Sequence, residues 1–239
     1  MSDNYLIVVP TYNEAENIQL FLDSLSDIES DILVVDDNSP DGTSDLVKEK
    51  MIGNSSIHLL TRKKKDGLGS AYREGFEWGL EHNYDYFVEM DADFSHRVVD
   101  LAGMINEGKG YDLVIGSRYV NGGGSSGWTF RRKLLSQGAN RIAQILLRTK
   151  INDLTSGFRI YTKEALNKIE YMNTETNGYG FQIEMGIRCV SKKLKILEYP
   201  IIFEERREGE SKMDSQIILE ALYLLFKLCP KRYLGMSIC

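Results

Sequence analysis

This sequence has few cysteines and no excess of positive charge. Its three cysteines, Cys189, Cys229 and Cys239, are odd in number and far apart, which argues against a disulfide framework and against a zinc cluster. A reducing compartment is therefore expected. The net charge of −6 gives the chain no general attraction to nucleic acid, so we expect no nucleic-acid partner.

Long apolar segments are also missing. The longest apolar-rich stretch, Ile217–Leu228, contains Glu220 and Lys227 and is shorter than the roughly 18 apolar residues that cross a membrane. Residues 1–14 have no basic segment and soon turn polar, so we expect no signal peptide. What remains is a chain of 239 residues, 42% of them hydrophobic, which suffices for one large domain or two small ones.

Strand-like and helix-like segments alternate from the start of the chain to about residue 116. Asn13 and Glu16 have the spacing of a capping box, which predicts that the first helix begins just after Asn13. The alternation predicts an α/β fold with a parallel, doubly wound sheet. Such a sheet binds ligands beyond the carboxyl ends of its strands, so the loops after Val9, Val35 and Met90 should gather at one edge. Strands are predicted at Tyr5–Val9, Ile32–Val35, Ile57–Leu60, Tyr84–Glu89 and Leu113–Ile115.

Two aspartates, Asp91 and Asp93, follow the fourth predicted strand. In an extended chain this spacing places both carboxylates on one face, with Ala92 pointing away. Two carboxylates this close repel each other unless a cation lies between them. Oxygen ligands favour Mg²⁺ or Mn²⁺, and such an ion binds one or two carboxylates together with substrate phosphates. The pair therefore predicts a metal–diphosphate site, and a solvated acidic turn is an equally good interpretation of these residues alone.

The sequence changes character after Arg118. The glycine-rich segment Tyr119–Gly127 predicts a flexible loop of the kind that serves as a lid. A helix is predicted over Leu134–Leu147, with the basic run Arg131–Lys133 at its start. Because cations are unfavourable at a helix N-terminus, this run indicates either a bound phosphate or a solvated face.

Seven segments, taken together, resemble one family. They are Pro10–Glu14 (PTYNE), Val34–Thr43 (VVDDNSPDGT), Gly67–Gly75 (GLGSAYREG), Asp91–His96 (DADFSH), Gly116–Val120 (GSRYV), Trp128–Lys133 (W-x-x-R-R-K) and Gly209–Met213 (GESKM). This set resembles the dolichyl-phosphate (polyprenyl-phosphate) mannosyltransferases, family-two glycosyltransferases with the GT-A fold. The resemblance implies a Rossmann-like, mostly parallel sheet with an acceptor-side extension. It also implies inverting transfer of mannose from GDP-mannose to dolichyl or polyprenyl phosphate.

The resemblance assigns roles to individual residues. The nucleotide side would consist of Pro10, Tyr12, Glu14, Val35 and Asp37. Asp91 and Asp93 would hold Mg²⁺ or Mn²⁺, with backbone contacts from Ala92, and Ser95 stands where some relatives have a metal-binding glutamine. Phosphates of donor or acceptor would contact Arg118, Arg132, Arg206 and Lys212, with Ser136 beside Arg132 and the backbone of Gly178 nearby. Among these, Asp93, Arg118, Arg206 and Lys212 are the candidate catalytic residues.

Several alternatives stay open. The donor is UDP-glucose in a second hypothesis, and in a third the chain is a non-catalytic subunit that binds a nucleotide sugar. The run Arg62–Lys65 is interpreted as a solvated charge run, with direct nucleotide contact by Lys65 as the alternative. His96 is interpreted as a hydrogen-bonded turn residue rather than a metal ligand.

The expected organisation is a catalytic domain at 1–215, with a nucleotide-sugar half at 1–116 and an acceptor half at 117–215. Residues 216–239 form an apolar helix and tail that either packs on this domain or touches a membrane surface or a small membrane-anchoring partner. The expected location is the cytosolic face of a membrane, the endoplasmic reticulum in a eukaryote or the plasma membrane in a prokaryote, with peripheral attachment.

Overall fold

A seven-stranded sheet forms the centre of the fold. The computed structural model describes residues 3–178 and 180–205. The strands are β1 Tyr5–Thr11, β2 Asp31–Asp36, β3 Ile57–Thr61, β4 Tyr86–Glu89, β5 Leu113–Ser117, β6 Gly124–Ser125, β7 Arg159–Thr162, β8 Ile196–Pro200 and β9 Ile202–Phe203. The central sheet has the order β3-β2-β1-β4-β7-β5-β8, and β6 pairs with β9 beside it. All central pairs are parallel except those of β7, so the predicted mostly parallel sheet is confirmed.

Helices cover both faces of this sheet. They are α1 Ile18–Ser24, α2 Thr43–Met51, α3 Leu68–Glu81, α4 Val98–Glu107, α5 Phe130–Leu147, α6 Lys163–Ile169 and α7 Gly180–Ser191, with a 3-10 turn at Tyr171–Asn173. Alternate residues of β1 belong to two different cores: Leu6 and Val8 pack with α3 and α7, whereas Ile7 and Val9 pack with α1 and α4. A strand buried on both faces in this way reads as a continuous apolar run, which is how β1 appears in the sequence.

Strand β7 enters the sheet from the second half of the chain and runs antiparallel between β4 and β5. Ile160 pairs with Val88 on one side and with Val114 on the other. Strand β8 then adds to the outer edge of β5, so Pro200 lies on an edge strand, where its missing N–H is tolerated. The two halves of the chain therefore share one sheet, and the boundaries at 116 and 215 stay predictions.

Small residues let α3 approach the sheet closely. A Cβ added to Gly79 would lie 2.5 Å from the Phe87 ring and 2.6 Å from Leu6, and one added to Gly75 would overlap Val8. These glycines lie on one side of α3 at helical spacing, as the sequence predicts. Close packing of α3 fixes the direction of β1 and β4, whose ends carry the candidate site.

The start of α1 differs from the prediction. Asn13 has φ +58°, α1 begins only at Ile18, and no side chain caps it. The capping-box interpretation of Asn13 and Glu16 is therefore wrong, because the intervening residues form a separate turn that packs on the β2–α2 loop. In the described part of the chain, no helix is both long and apolar enough to cross a membrane.

Candidate active site

The loops that follow β1 and β2 are tied to each other. The Thr11 hydroxyl donates to Asp36 Oδ1 at 2.9 Å, and the backbone N–H of Asn13 donates to the Ser39 hydroxyl at 3.0 Å. The backbone N–H of Glu14 donates to the Thr43 hydroxyl at 3.0 Å. These cross-links hold the predicted nucleotide residues of both loops at the same edge of the sheet.

Asp36 is the centre of this arrangement and was not among the predicted site residues. It is fully buried and accepts hydrogen bonds from Ser39 and Ser44 as well as from Thr11. Its role is to shape the loop rather than to contact a ligand. Its neighbour Asp37 is the residue of this pair that was predicted to contact the nucleotide.

Asp37 is held by Arg62. The Arg62 guanidinium lies 2.5 Å from Asp37 Oδ1 and also donates to Glu74 and Ser70. Burial raises the pKa of Asp37, and the positive charge of Arg62 opposes this shift. Arg62 itself is buried, so its assignment to a solvated charge run is wrong, whereas Lys63, Lys64 and Lys65 are exposed.

The other predicted nucleotide residues line the same edge. The ammonium of Lys65 lies 4.1 Å from the centre of the half-buried Tyr12 ring, a cation–π contact that favours a role for Lys65 in the site. Glu14 accepts a hydrogen bond from Asn17. Pro10 pairs in register with Val35, whose side chain belongs to the core, so only the backbone of Val35 can face a ligand.

The aspartate loop begins one residue after β4 ends at Glu89. Asp91 is partly exposed, Ala92 and Asp93 are buried, and Asp93 Oδ1 accepts the backbone N–H of Ser95 at 3.0 Å. The chain turns at Phe94, which has φ +61°. This tight turn, rather than a continuing strand, brings the two carboxylates to the sheet edge.

His96 contacts both the aspartate loop and the core residue Phe158. Its Nδ1 accepts the backbone N–H of Asp91 at 3.2 Å, and its ring stacks on Phe158 at a centroid distance of 4.6 Å. A histidine that accepts through Nδ1 is unprotonated at that atom. The interpretation of His96 as a hydrogen-bonded turn residue therefore agrees with the structure.

The chemistry of this loop fits a hard divalent ion that is completed by a ligand. Within residues 3–178 and 180–205, no three acidic, histidine or cysteine side chains come together to hold a metal alone. Asp91 and Asp93 supply two carboxylates, the number that Mg²⁺ or Mn²⁺ commonly takes beside substrate phosphates. The hydroxyl of the fully buried Ser95 has no hydrogen-bond partner among the described residues, and its predicted role as a ligand stays a prediction.

Arg118 follows β5 and is fixed by Asp153. Two of its nitrogens lie 2.7 Å from the two carboxylate oxygens of Asp153, and a further bond reaches the Thr155 hydroxyl at 2.9 Å. Burial alone would raise the pKa of Asp153, but the Arg118 charge and hydrogen bonds hold it below its ordinary value. Asp153 was missed in the sequence because an isolated aspartate in a polar loop carries no distinguishing pattern.

Arg118 and Arg132 flank the same indole ring. The Arg132 guanidinium lies 4.3 Å from the Trp128 ring centre, and that of Arg118 lies 5.4 Å from it. Ser136, one turn further along α5, accepts a hydrogen bond from Tyr119 at 2.6 Å. The predicted phosphate residues of this part of the chain therefore form one group, which Trp128 organises.

Phe203 connects this group to the aspartate loop. Its ring lies 5.7 Å from His96, 5.5 Å from Trp128 and 5.5 Å from the Arg118 guanidinium, measured between centres. The backbone N–H of the next residue, Glu204, donates to the Ser95 carbonyl at 3.0 Å. The acidic loop and the cationic group thus share one neighbourhood.

The remaining predicted residues have mixed outcomes. Gly178 lies two residues before the start of α7, and its carbonyl accepts the N–H of Phe181. Arg206 and Lys212 lie outside the described residues, and so does the C-terminal segment 216–239. Glu205, the last described residue, forms an ion pair with Arg132 at 3.2 Å.

A buried charged residue behind the aspartate loop was also missed. Glu89 lies opposite Arg159 in the β4–β7 pair, and both are fully buried. Burial raises the pKa of Glu89 to about 8, against the opposing effect of the Arg159 charge. The signal was present in the sequence as an acidic residue at the end of an otherwise apolar strand.

This neighbourhood lies at the carboxyl ends of β1, β2, β4 and β5, where an open α/β sheet binds its ligands. The sequence profile of glycosyl transferase family 2 matches residues 6–170, which include both loops and the Arg118 region. The chain belongs to glycosyl transferase family 2. Its family-2 domain therefore comprises most of the described sheet, from β1 to β7.

Relatives within the glycosyl transferase family are close. The undecaprenyl-phosphate mannosyltransferase of Micrococcus luteus is 45% identical over 219 residues, which cover 91% of this chain and 90% of that protein. The polyprenol monophosphomannose synthase of Mycolicibacterium smegmatis is 42% identical over 222 residues, covering 91% and 84% respectively. The family resemblance seen in the sequence is thereby confirmed.

A solved structure supports the fold of this family-2 enzyme. The mannosyltransferase PcManGT from Pyrobaculum calidifontis, in complex with GDP-Man and Mn²⁺, superposes with a TM-score of 0.62 at 14% identity and covers 98% of this chain and 69% of that one. At this level of identity the likeness concerns the fold, and the predicted GT-A architecture is confirmed.

Proposed function

We propose that this family-2 enzyme transfers mannose from GDP-mannose to a polyprenyl phosphate, which gives a lipid-linked phosphomannose. The observation that carries the proposal is the contact of Phe203 with both halves of the site. Phe203 contacts His96 of the aspartate loop as well as Trp128 and Arg118, and this supports one shared site for the two groups. The two curated relatives, both named as mannosyltransferases or phosphomannose synthases of polyprenols, support the sugar and the acceptor.

The donor half of the reaction needs a stabilised leaving group. Cleavage of the sugar–phosphate bond leaves negative charge on the diphosphate oxygens. Asp91 and Asp93 would hold Mg²⁺ or Mn²⁺, which supplies positive charge to that diphosphate when it is bound. Asp37 and Tyr12, at the ends of β2 and β1, then contact the nucleoside portion. His96 fixes the backbone of Asp91, and the Ser95 N–H fixes the Asp93 carboxylate, before the ligand arrives.

The acceptor half needs cations rather than a base. A phosphate monoester is already an anion near neutral pH, because its second pKa is about 6. It attacks the anomeric carbon without losing a proton, so no dedicated general base takes part. Arg118, held by Asp153 and Thr155, and Arg132 supply positive charge to the acceptor phosphate, beside Ser136. Arg206 and Lys212 are proposed to add to this group from the segment beyond Glu205.

The test is transfer of labelled sugar into an organic-extractable product. GDP-mannose and UDP-glucose are compared side by side with the intact chain, a polyprenyl phosphate, Mn²⁺ or Mg²⁺, and a chelator control. We expect mannose transfer that the chelator abolishes and that the added ion restores. Preferential transfer of glucose would replace the proposed donor, and binding of GDP-mannose without any product would favour a non-catalytic subunit.

A substitution scan tests the absence of a base. Replacement of Asp or Glu residues outside the metal and nucleotide positions should leave at least about a tenth of the parent rate, because general-base catalysis, with its roughly 10²- to 10⁴-fold contribution, is not used. Asp153, which holds Arg118, is left out of this scan. An essential carboxylate elsewhere in the site, in a variant that still folds and binds the donor, would contradict the mechanism.

We further propose a peripheral location at a cytosolic membrane face, where the lipid acceptor is found.

A further inference from the structure

Helix α5 turns an apolar face to solvent. Its inward side is short and partly polar, formed by Asn140, Ala143, Gln144 and Leu147. Large hydrophobic side chains on the opposite side are between 55% and 78% exposed; they are Phe130, Leu134, Leu135, Ile142 and Ile145. At 3.6 residues per turn they span about 140° of the helix circumference, as wide as the buried face of an ordinary surface helix. Scattered exposed apolar residues need no explanation, but five large ones on the same side of one helix indicate an interaction surface.

The same helix carries only positive charge. Residues 130–147 contain no Asp or Glu, and their cations are Arg131, Arg132, Lys133 and Arg141. This is a local reversal in a chain whose net charge is −6. At helical spacing, Arg131 and Arg141 lie among the apolar side chains, and Arg132 and Lys133 lie on either side of them. Apolar residues combined with Lys and Arg in this way are the composition of helices that lie in the interface of an anionic bilayer.

The helix starts beside the proposed acceptor-phosphate group. Arg132, in its first turn, stacks on Trp128 together with Arg118, and Ser136 is bonded to Tyr119. A lipid phosphate that reaches these residues from a bilayer therefore passes the N-terminal part of α5. Docking through α5 would place the acceptor site at head-group level without extracting the whole lipid.

We propose that α5 is the membrane-docking element of this enzyme, with its apolar face in the interface and its cations against anionic head groups. This inference rests on the proposed function, because it explains how a lipid acceptor enters. A second copy packed symmetrically on α5 would bring like charges together, which opposes that occupant. The segment Ile217–Leu228 has one acidic residue and one basic residue, so it offers no net negative charge to α5.

The experiment measures sedimentation of the intact chain with vesicles of phosphatidylcholine containing about 30% phosphatidylglycerol. The test variant is Leu134→Gln/Leu135→Gln/Ile142→Gln, all at exposed positions. A matched control, Leu20→Gln/Ile52→Gln/Val99→Gln, changes equally exposed residues on other elements. We expect the α5 variant to lose at least about tenfold in vesicle affinity, and the control variant to bind like the parent. Binding of the parent should also weaken in high salt and on vesicles without phosphatidylglycerol.

Two further measurements separate the outcomes. With a short-chain polyprenyl phosphate in detergent, the α5 variant should transfer mannose at the parent rate, whereas transfer to acceptor in vesicles should fall at least about tenfold. Unchanged vesicle binding by the α5 variant overturns the proposal. The proposal also fails if, without vesicles, the parent is an oligomer and the α5 variant is a monomer, because a second copy would then be the occupant of the apolar face. If the parent transfers no mannose to either acceptor, the proposed function fails, while vesicle binding still decides the role of α5.

Discussion

Replacement of Asp153 by Asn removes the charge that fixes Arg118 and leaves the shape of the side chain almost unchanged. Asp153 is fully buried and accepts two hydrogen bonds at 2.7 Å from the Arg118 side chain, itself 9% exposed. Loss of one partner of a buried ion pair leaves an uncompensated charge and costs about 3 kcal/mol of the free energy of unfolding, or somewhat more. For a chain of this size that corresponds to a fall in melting temperature of about 6–12 °C.

The assay is urea unfolding of parent and Asp153→Asn between pH 3 and pH 8. The pKa of Asp153 is lowered in the folded protein, so its contribution is present above the unfolded value of about 3.9 and is lost as the pH falls below it. The difference between the two proteins should therefore be constant from about pH 5 to pH 8 and shrink in stronger acid. A matched exposed pair, Lys50 with Asp23, gives the control Asp23→Asn, which should cost less than about 1 kcal/mol.

The same substitution tests the catalytic role of Arg118. Loss of the Asp153 charge should raise the KM for the polyprenyl phosphate about tenfold or more, because hydrogen bonds to charged groups contribute about 1.5–3 kcal/mol. A compensating pair, Arg118→Met with Asp153→Leu, should recover much of the stability and none of the activity. Equal unfolding curves for parent and Asp153→Asn across this pH range, together with an unchanged KM, would refute the reasoning.

Three further predictions concern the metal, the core and the thiol. Asp93→Asn should lower kcat/KM at least about 100-fold and weaken Mn²⁺ binding, measured by calorimetry in the presence of GDP. An unchanged melting temperature is the control for folding. Full Mn²⁺ affinity in this variant would contradict the role of Asp93 as a metal ligand. Gly79→Ala should lower the unfolding free energy by about 1–3 kcal/mol, because its Cβ would meet Phe87 at 2.5 Å. The control Gly138→Ala, which has open space around it, should raise the unfolding free energy by about 0.5–1 kcal/mol. Equal effects of the two substitutions in urea titrations would count against the close packing of α3. Burial raises the pKa of the Cys189 thiol to about 12, so a maleimide at pH 8 should label this thiol only after unfolding. Mass spectrometry of the peptide that contains Cys189 measures the labelling. Rapid labelling in the native protein would contradict the burial of this thiol.

The strands of the first half could be predicted because each appears in the sequence as a compact apolar run. The predicted β1 begins at Tyr5 as expected and continues two residues further, to Thr11, and the predicted β2 is extended by a single residue at each end. Both faces of β1 are buried, so its apolar run has no competing interpretation. The start of α1 was not predictable, since the Asn13–Glu16 pattern is satisfied by contacts with the β2–α2 loop that the local sequence does not show.

The site was predictable where function uses a short motif and not where it uses distant partners. Asp91 and Asp93 were predicted from their spacing together with their place after a buried strand, and they follow β4 at the expected edge of the sheet. Asp153, by contrast, lies 35 residues from Arg118, and only the folded chain brings the two together. Arg62 was misassigned for the same reason, because its partner Asp37 lies 25 residues away, just after β2. Long-range pairs of buried charges leave no periodic pattern in a single sequence.

The antiparallel entry of β7 has a consequence for how this enzyme can diversify. The backbone N–H of Gly116 donates to the Phe158 carbonyl at 2.8 Å, so the excursion between β5 and β7 leaves and rejoins the sheet at hydrogen-bonded neighbours. Its two ends are fixed by the sheet, and its interior is held by the pairing of β6 with β9 and by the core residues Leu147, Ile151 and Leu154. Residues 118–158, which contain Arg118, Trp128, α5 and Asp153, therefore form a cassette. A homologue's cassette grafted at the same two anchor points would exchange acceptor preference while the nucleotide-binding strands kept their register.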